Sequence, residues 1–526
     1  MKKTLILFGS IVFFTVSLFA KPIDTEISGL DLTKQMKFGW NLGNTLDATA
    51  AKNLSSEESW GQPKTTKEMI KGLAEGGIKT IRIPVSWHNH VTDVKNYTID
   101  PEWMARVKTI VDWALEENMF VILNTHHDNA EKHSGAMKKG DGYYPTKKDK
   151  AESEKYLKAV WTQICKTFNN DYDEHLIFES LNEPRLIGHN HEWGYSSWCN
   201  DCKDAMECLN SFNQLIVNTI RSSGGNNEYR FIGVPSLACG VDSLLSKDFI
   251  LPEDSSNRII AAVHMYTPYV FAMDPSHSTV TFTSSYKNEL DRTFNKLYEK
   301  FVKNGIPVYI GEMGATNKNN LKEREAWFDY FVSHAMAKNI PSVVWDNGGY
   351  DITSGDYSEK YGYYCRYQNN WYFPSLIKKA VKAAGGNYSR IEEFDPSYEY
   401  GFDSENAFTV LTNFDVDSWN KTTTIPKEIF EDVKEGSIIR FETTGSISKD
   451  KNYRLLSFRN TSWKDLPEFT GSVRGDGSIN KNAVTPTKDL AVYYWILSAE
   501  DAKILANQDV MLCGNNVNIS SIMIQF

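Results

Sequence analysis

Two glutamates stand at equivalent points of the sequence. Glu183 lies in Asn182-Glu183-Pro184, just after the apolar run Leu176-Ile177-Phe178-Glu179. Glu312 lies in Gly311-Glu312-Met313-Gly314, just after Pro307-Val308-Tyr309-Ile310. Both runs read as buried strands, so both carboxyl groups would emerge at one mouth of a parallel sheet. Two carboxyls facing each other across a cleft are what glycosidic cleavage needs. One protonates the leaving oxygen and the other attacks the anomeric carbon. Either motif alone is weak, because a glutamate opening a helix often serves only its positive end. The pair at matched strand ends carries the inference.

Other reactive or recognising side chains follow other strands. Arg82, in Thr80-Ile81-Arg82-Ile83, is expected beside Glu312, where a close cation favours the ionised carboxylate. A structural salt bridge closing the mouth is the alternative. Asn182 is placed to donate to a sugar 2-hydroxyl. His126 and His127 follow Phe120-Val121-Ile122-Leu123, and His264 and Tyr266 follow Ile259-Ile260-Ala261-Ala262-Val263. Neutral imidazoles and a phenol suit hydroxyl recognition and the orienting of carboxylates. Trp345 ends Ser342-Val343-Val344-Trp345, where its indole would stack on a pyranose ring or cap the core. The adjacent His126 and His127 lack the carboxylate–histidine spacing of a zinc helix, so the reading assigns no metal and no cofactor to the chemistry.

These residues need a frame. Between residues 36 and 384, short apolar runs alternate with stretches of helical period: the six already quoted, together with Lys37-Phe38-Gly39-Trp40 and Arg230-Phe231-Ile232-Gly233, make eight strands. Helical candidates cover residues 66–75, 102–117, 152–168, 287–303 and 321–338, with a weak fifth crossover at 241–248. Apolar strands with helical crossovers predict an α/β fold, a (β/α)8 TIM barrel. No glycine-rich phosphate fingerprint follows the first strand, which counts against an open doubly wound sheet. The full reading is a signal peptide over residues 1–20, a barrel over 21–386, a linker over 387–406 and a small all-β sandwich domain over 407–526. Lys2, Lys3, the apolar residues 5–19 and Ala20 predict cleavage and secretion, leaving no membrane segment.

The 526 residues carry a net charge of -10 and no long basic run, which argues against nucleic acid and anionic membranes as partners and suits a neutral polymer. A monomer is expected. Seven cysteines are too few and too scattered for a disulfide framework. Cys199, Cys202 and Cys208 cluster near His189 and His191. A loop disulfide is the simpler reading there for an exported chain, and zinc is the other.

The segments Phe38-Gly39-Trp40-Asn41-Leu42-Gly43-Asn44-Thr45-Leu46-Asp47, Ile81-Arg82-Ile83-Pro84-Val85-Ser86-Trp87, Leu123-Asn124-Thr125-His126-His127-Asp128, Phe178-Glu179-Ser180-Leu181-Asn182-Glu183-Pro184, His264-Met265-Tyr266-Thr267-Pro268-Tyr269, Ile310-Gly311-Glu312-Met313-Gly314 and Val344-Trp345-Asp346-Asn347-Gly348 resemble glycoside hydrolase family 5, the cellulase family A enzymes. The first of them resembles the branch of broad-specificity endoglucanases, which includes xyloglucanases and lichenases. The resemblance implies a retaining endo-β-1,4-glucanase acting on plant-type β-glucan polysaccharide, with Glu183 as general acid/base and Glu312 as nucleophile. It also implies that Asn44 and His127 line subsites on the non-reducing side. Xyloglucan or mixed-linkage glucan, then xylan or mannan, are the alternative substrates, and a non-hydrolytic glycan-binding protein is the remote one. Arg82 and Tyr266 are expected to keep Glu312 ionised, while its charge holds Glu183 protonated. The carboxyls should then lie about 5–5.5 Å apart. The resemblance ends near residue 390. Beyond it, Trp419, Trp463 and Trp495 could form a sugar-stacking face, or Trp495 could be core.

Overall fold

A computed structural model describes residues 21–130, 142–274, 279–350, 359–395, 400–416, 418–445, 454–475, 477–480, 482–486 and 489–526. The predicted signal peptide lies outside the described residues. Eight strands form a closed barrel: β1 (Phe38–Asn41), β2 (Thr80–Ile83), β3 (Phe120–Asn124), β4 (Leu176–Glu179), β5 (Ile232–Pro235), β6 (Ile259–His264), β7 (Val308–Met313) and β8 (Ser342–Val344). Each pairs in parallel with its sequence neighbours, and β1 pairs with both β2 and β8, so no edge is left open. Helices α1 (Gly29–Met36), α2 (Lys67–Glu75), α3 (Pro101–Glu116), α4 (Lys150–Thr167), α5 (Asn200–Ser222), α6 (Val241–Leu245), α7 (Ser284–Lys300), α8 (Leu321–Ala337) and α9 (Pro374–Ala383) surround them. Their starts are written locally. The Thr66 hydroxyl accepts the Met69 N–H, and Asp100 caps α3 ahead of Pro101. None of the helices among the described residues is long and apolar enough to cross a membrane.

The period of two along each strand sorts side chains to the barrel's inside or outside. Phe120 and Ile122 of β3, Ile177 of β4, Ile260 and Ala262 of β6 and Tyr309 of β7 fill the interior, and Leu32 and Met36 of α1 join that cluster. Two residues further along each strand, the same inward set reaches Asn124, Glu179 and His264. Strand β7 departs from this rhythm. Its pairing with β6 runs Val263 to Ile310 and then His264 to Glu312, and its pairing with β8 slips in the same place. One extra residue, at Gly311, makes a β-bulge that turns Glu312 inward opposite His264.

The longest helix, the 23-residue α5, was not among the predicted helical stretches. The weak fifth crossover is the five-residue α6. All seven cysteines are free, which corrects the predicted loop disulfide. Cys202 and Cys208 lie six residues apart on one helix, about 9 Å along its axis, too far to pair. The Cys199 sulfur instead caps α5 by accepting the Cys202 N–H at 3.2 Å.

Two five-stranded antiparallel sheets follow the barrel. One contains β9 (Phe408–Asp415), β11 (Ile438–Thr444), β13 (Ser472–Gly475), β16 (Leu490–Ile496) and β18 (Asn518–Gln525). The other contains β10 (Thr423–Ile425), β12 (Leu455–Arg459), β14 (Gly477–Asn480), β15 (Ala483–Pro486) and β17 (Val510–Asn515). They share one apolar core. Trp495 sits inside it, 1% exposed, against Phe469 and with its N–H donated to Asp501 at 3.3 Å. The three-tryptophan stacking face is therefore not formed, since only Trp463 of the three is well exposed and Trp419 packs against Arg459. Between barrel and sandwich, the Ser389 and Arg390 amides donate to the Glu75 carbonyl, and Phe402 is buried beside Ile438 and Tyr494. Trp495→Ala should destabilise the sandwich by about 3–5 kcal/mol. Chemical denaturation followed by tryptophan fluorescence would measure this, and a loss below about 1 kcal/mol would remove Trp495 from the core.

Candidate active site

At the barrel mouth the inward-facing residues become polar. Arg82 of β2 is fully buried, so its charge must be met inside the protein. Its Nη2 donates to Glu179 at 2.7 Å and to the Asn182 carbonyl oxygen at 2.6 Å. Its Nη1 donates to Glu312 at 2.8 Å and to the Asn41 carbonyl oxygen at 2.9 Å, and Nε adds a second contact to Glu179 at 3.2 Å. Burial opposes the guanidinium charge, but Glu179 and Glu312 raise its pKa above the ordinary value. Glu179 also accepts from the Tyr309 hydroxyl at 2.6 Å and the Asn124 amide at 2.9 Å. Burial alone would neutralise Glu179, yet Arg82 holds it below the usual carboxylate range.

Glu312 and Glu183 face each other across this base. Glu312 takes Arg82 on one oxygen and the Tyr266 hydroxyl, at 3.0 Å, on the other. Glu183 is bonded to His264 Nδ1 at 2.7 Å, and the same nitrogen lies 3.6 Å from Glu312. One donor atom from each of Glu183, His264 and Glu312 lies within 4.8 Å of the others. Both carboxyls are reachable, with 16% of the Glu183 side chain and 8% of the Glu312 side chain exposed. Arg185 backs Glu183 by donating to its carbonyl at 3.0 Å, with the guanidinium 3.7 Å from its carboxylate.

The proton distribution reverses the expected order. Glu312 is raised, because burial outweighs the pull of His264 and Arg82. Glu183 is lowered despite burial, because His264 donates to it. His264 itself is raised well above the ordinary imidazole value. Burial opposes its charge, but acidic neighbours overcome it. Burial keeps the neighbouring Cys239 thiol protonated, so at neutral pH the two glutamates supply that attraction. Sequence reasoning placed Arg82 correctly beside Glu312 but counted one carboxylate around it. Glu179 takes a large share of its charge, and His264 donates where a neutral imidazole was expected.

The remaining predicted residues line the same mouth. The Asn182 carbonyl is committed to Arg82, which turns its donor end away from the guanidinium. His126 stacks parallel to Trp345 with centroids 5.8 Å apart, and Asn124 donates to its Nδ1 at 3.1 Å. His127 meets His126 edge-on and Trp60 on another side at 5.3 Å. Burial pushes His126 well below the ordinary imidazole value and His127 down to about 4, so both are neutral at neutral pH. Asn44 sits in the left-handed region, φ 55°, in a turn closed by Asp47, which accepts the Asn44 and Thr45 amides at 3.1 and 2.7 Å. Gly43 is required there, because a Cβ would stand 2.6 Å from the Asp346 carbonyl and 2.9 Å from the Trp345 ring. Tyr143 and Tyr144 are buried, while Trp193 and Trp198 on the loop after Glu183 are exposed. Sequence reasoning missed Glu179, Asn41, Tyr309, Asp47 and Trp60. A charge inside the buried run Leu176–Glu179 was the signal available for Glu179.

Chemically, one carboxyl held by a guanidinium and a phenol, facing a second carboxyl hydrogen-bonded to a proton carrier, can supply a nucleophile and an acid to one acetal carbon. Lysine cannot span the partners of Arg82. Arg82→Lys should leave a buried carboxylate underbonded and cost about 3–5 kcal/mol, read by denaturant unfolding. A variant within about 1 kcal/mol of the parent would show that the fork is not needed.

Residues 43–351 match the family described as Cellulase (glycosyl hydrolase family 5). Endoglucanase B of Clostridium cellulovorans is 38% identical over 374 residues, covering 70% of this chain and 79% of that protein. Cellulase/esterase CelE of Acetivibrio thermocellus is 39% identical over 361 residues, which are 68% of this chain and 41% of that longer protein. Among solved structures, the GH5-4 broad-specificity endoglucanase of Ruminococcus champanellensis with bound cellotriose is 39% identical, with a TM-score of 0.61 over 68% of this chain and 98% of that one. The barrel, the glutamate pair at its mouth and these matches agree: the chain belongs to glycosyl hydrolase family 5, the cellulases.

Proposed function

We propose that the chain is a secreted, retaining endo-β-1,4-glucanase in which Glu312 is the nucleophile and Glu183 the general acid/base. The observation that carries this reading is the close approach of Glu183, His264 and Glu312, with donor atoms within 4.8 Å. An inverting enzyme needs carboxyls about 6.5–9.5 Å apart to seat a water between them and the sugar, whereas retention needs about 5–5.5 Å. Arg82 and Tyr266 bond Glu312 and not Glu183, which favours Glu312 as the group that carries negative charge into the attack.

The roles require the proton of the glutamate pair to stand on Glu183 when the sugar is bound, the reverse of the resting order. Four carboxylates, Glu179, Glu183, Glu192 and Glu312, meet two guanidiniums, Arg82 and Arg185, and one imidazole, so with His264 charged a neutral cluster carries one further proton on the glutamate pair. The 2.7 Å bond from His264 to Glu183 is a direct path for a proton onto Glu183. As His264 gives its proton to Glu183 it takes up the one held by Glu312, 3.6 Å away, so Glu312 forms its bond to C1 as an anion while Glu183 protonates the departing oxygen and the C1–O bond breaks. In the second step Glu183, now ionised, takes a proton from water as that water attacks C1 and frees Glu312. Asn182 donates to the 2-hydroxyl. Trp345, His126, His127, Asn44 and Trp60 form a neutral, aromatic floor suited to β-linked glucose units.

The substrate reading is a cellulose-like β-glucan, supported by the endoglucanase names of the relatives and by the bound cellotriose of the structural neighbour. Xyloglucan and mixed-linkage glucan are the closest alternatives, given the broad specificity of that neighbour. The basic and apolar pattern of residues 1–20 supports secretion. The β-sandwich is read as an accessory module, with exposed Trp463 as its candidate sugar contact.

NMR of the first product should show the β-anomer, and an initial α-anomer would reject Glu312 as nucleophile. Glu183→Gln and Glu312→Gln should each lower kcat on a polymeric β-glucan by about 10²–10⁴-fold or more. Near-normal turnover would reject the role of that residue. Glu179→Gln removes a negative charge from the Arg82 cluster, so more of the guanidinium field falls on Glu312 and its ionised form is favoured. The acid limb of the kcat/KM profile should therefore move to lower pH, and an unchanged or raised limb would rule out this coupling.

A further inference from the structure

The loop that leaves Glu183 carries a second cluster of metal-type ligands, away from the two glutamates. His189 lies in the loop, and Cys199 and Cys202 form a Cys-x2-Cys pair across the first turn of α5. One donor atom from each of these three lies within 4.8 Å of the others. Asp201 adds a carboxylate oxygen 3.5 Å from His189 Nε2. That distance is about the edge of a tetrahedron with metal–ligand bonds of about 2.1 Å. The Cys199 sulfur accepts the Cys202 N–H at 3.2 Å at the start of a 23-residue helix, which fixes where that sulfur points.

We propose that His189, Cys199 and Cys202, with Asp201 as the fourth donor, bind one zinc ion that pins the loop after Glu183. Two sulfurs, one imidazole and one carboxylate make a soft, tetrahedral donor set that selects zinc over magnesium or calcium. A Cys199–Cys202 disulfide would engage only the sulfurs and leave unexplained why His189 converges on them. Binding converts two thiols to thiolates and releases two protons to solvent, with no change of oxidation state. The His191 amide, now donating to His189 Nδ1 at 3.0 Å, must swing away, because a ring ligated through Nε2 carries its proton on Nδ1.

The site has a clear mechanical consequence. The loop begins at Arg185, whose guanidinium backs Glu183, bonds Glu192 at 3.2 Å and lies 4.1 Å over the Trp193 ring. Trp193 is 65% and Trp198 94% exposed, and Trp193 meets the acid/base side of the cleft through Arg185. With one end of this segment tied at Arg185 and the other at the metal, both indoles are presented from a closed loop instead of a free one.

The full-length chain, purified after exposure to zinc chloride alone, tests this. Elemental analysis should find one zinc per chain in the parent and in Cys208→Ala, and none retained in Cys199→Ser or His189→Ala. Cobalt(II) exchange should produce thiolate-to-cobalt charge-transfer absorption in the parent. Parent protein that retains no zinc, or a Cys199–Cys202 disulfide found by peptide mass mapping, overturns the proposal. If the variants fail to fold, the parent still decides. A chelator should speed proteolysis between Leu186 and Cys199, and added zinc should reverse it. Cleavage indifferent to both also overturns the site.

Discussion

A guanidinium shut away from water governs this active site. Arg82 has no exposed surface, and an isolated buried cation is untenable. The barrel answers with two carboxylates and two amide carbonyls, one set from each side of the fork. Everything at the mouth follows from that balance. Glu179 is the standing counter-ion, further restrained by Tyr309 and Asn124. Glu312 has the remaining face of the cation, which orients one oxygen and leaves the other for Tyr266 and the open cleft. Asn182 is oriented by the same nitrogen that bonds Glu179.

The fold delivers these groups by a simple device with one exception. Strand alternation carries apolar residues up the barrel interior and changes to Asn124, Glu179 and His264 at the top, so the polar layer grows out of the core without a break. Glu312 does not belong to that alternation. The bulge at Gly311 shifts the phase of β7 by one residue and brings Glu312 to the register of His264. A Cβ at position 311 would stand 3.2 Å from the His264 ring, so the residue that makes the bulge also makes room for the imidazole between the two glutamates.

Much of the fold was legible because buried parallel strands are short, apolar and separated by helical periods, and seven of the eight strands were placed to within about two residues of their observed ends. The long helix α5 was hidden by its polar, cysteine-bearing first turn, which drew attention as a ligand cluster instead of a helix start. Trp495 shows the opposite error of emphasis. An aromatic in a strand is equally suited to a sugar or to a core, and only the second sheet packed against it decides.

What the sequence determined by itself is the set of participants: two glutamates after matched strands, an arginine, two histidine sites, a tyrosine and a tryptophan at other strand ends, because strand order and strand ends are local properties. What the tertiary structure alone decided is who holds which charge. Glu179 takes most of Arg82, His264 carries the proton between Glu183 and Glu312, and the bulge at Gly311 makes that bridge possible. These are settled by separations of a few ångströms between residues more than a hundred positions apart. In a low-dielectric interior such separations control the energy of a charge, and no local pattern in the chain records them.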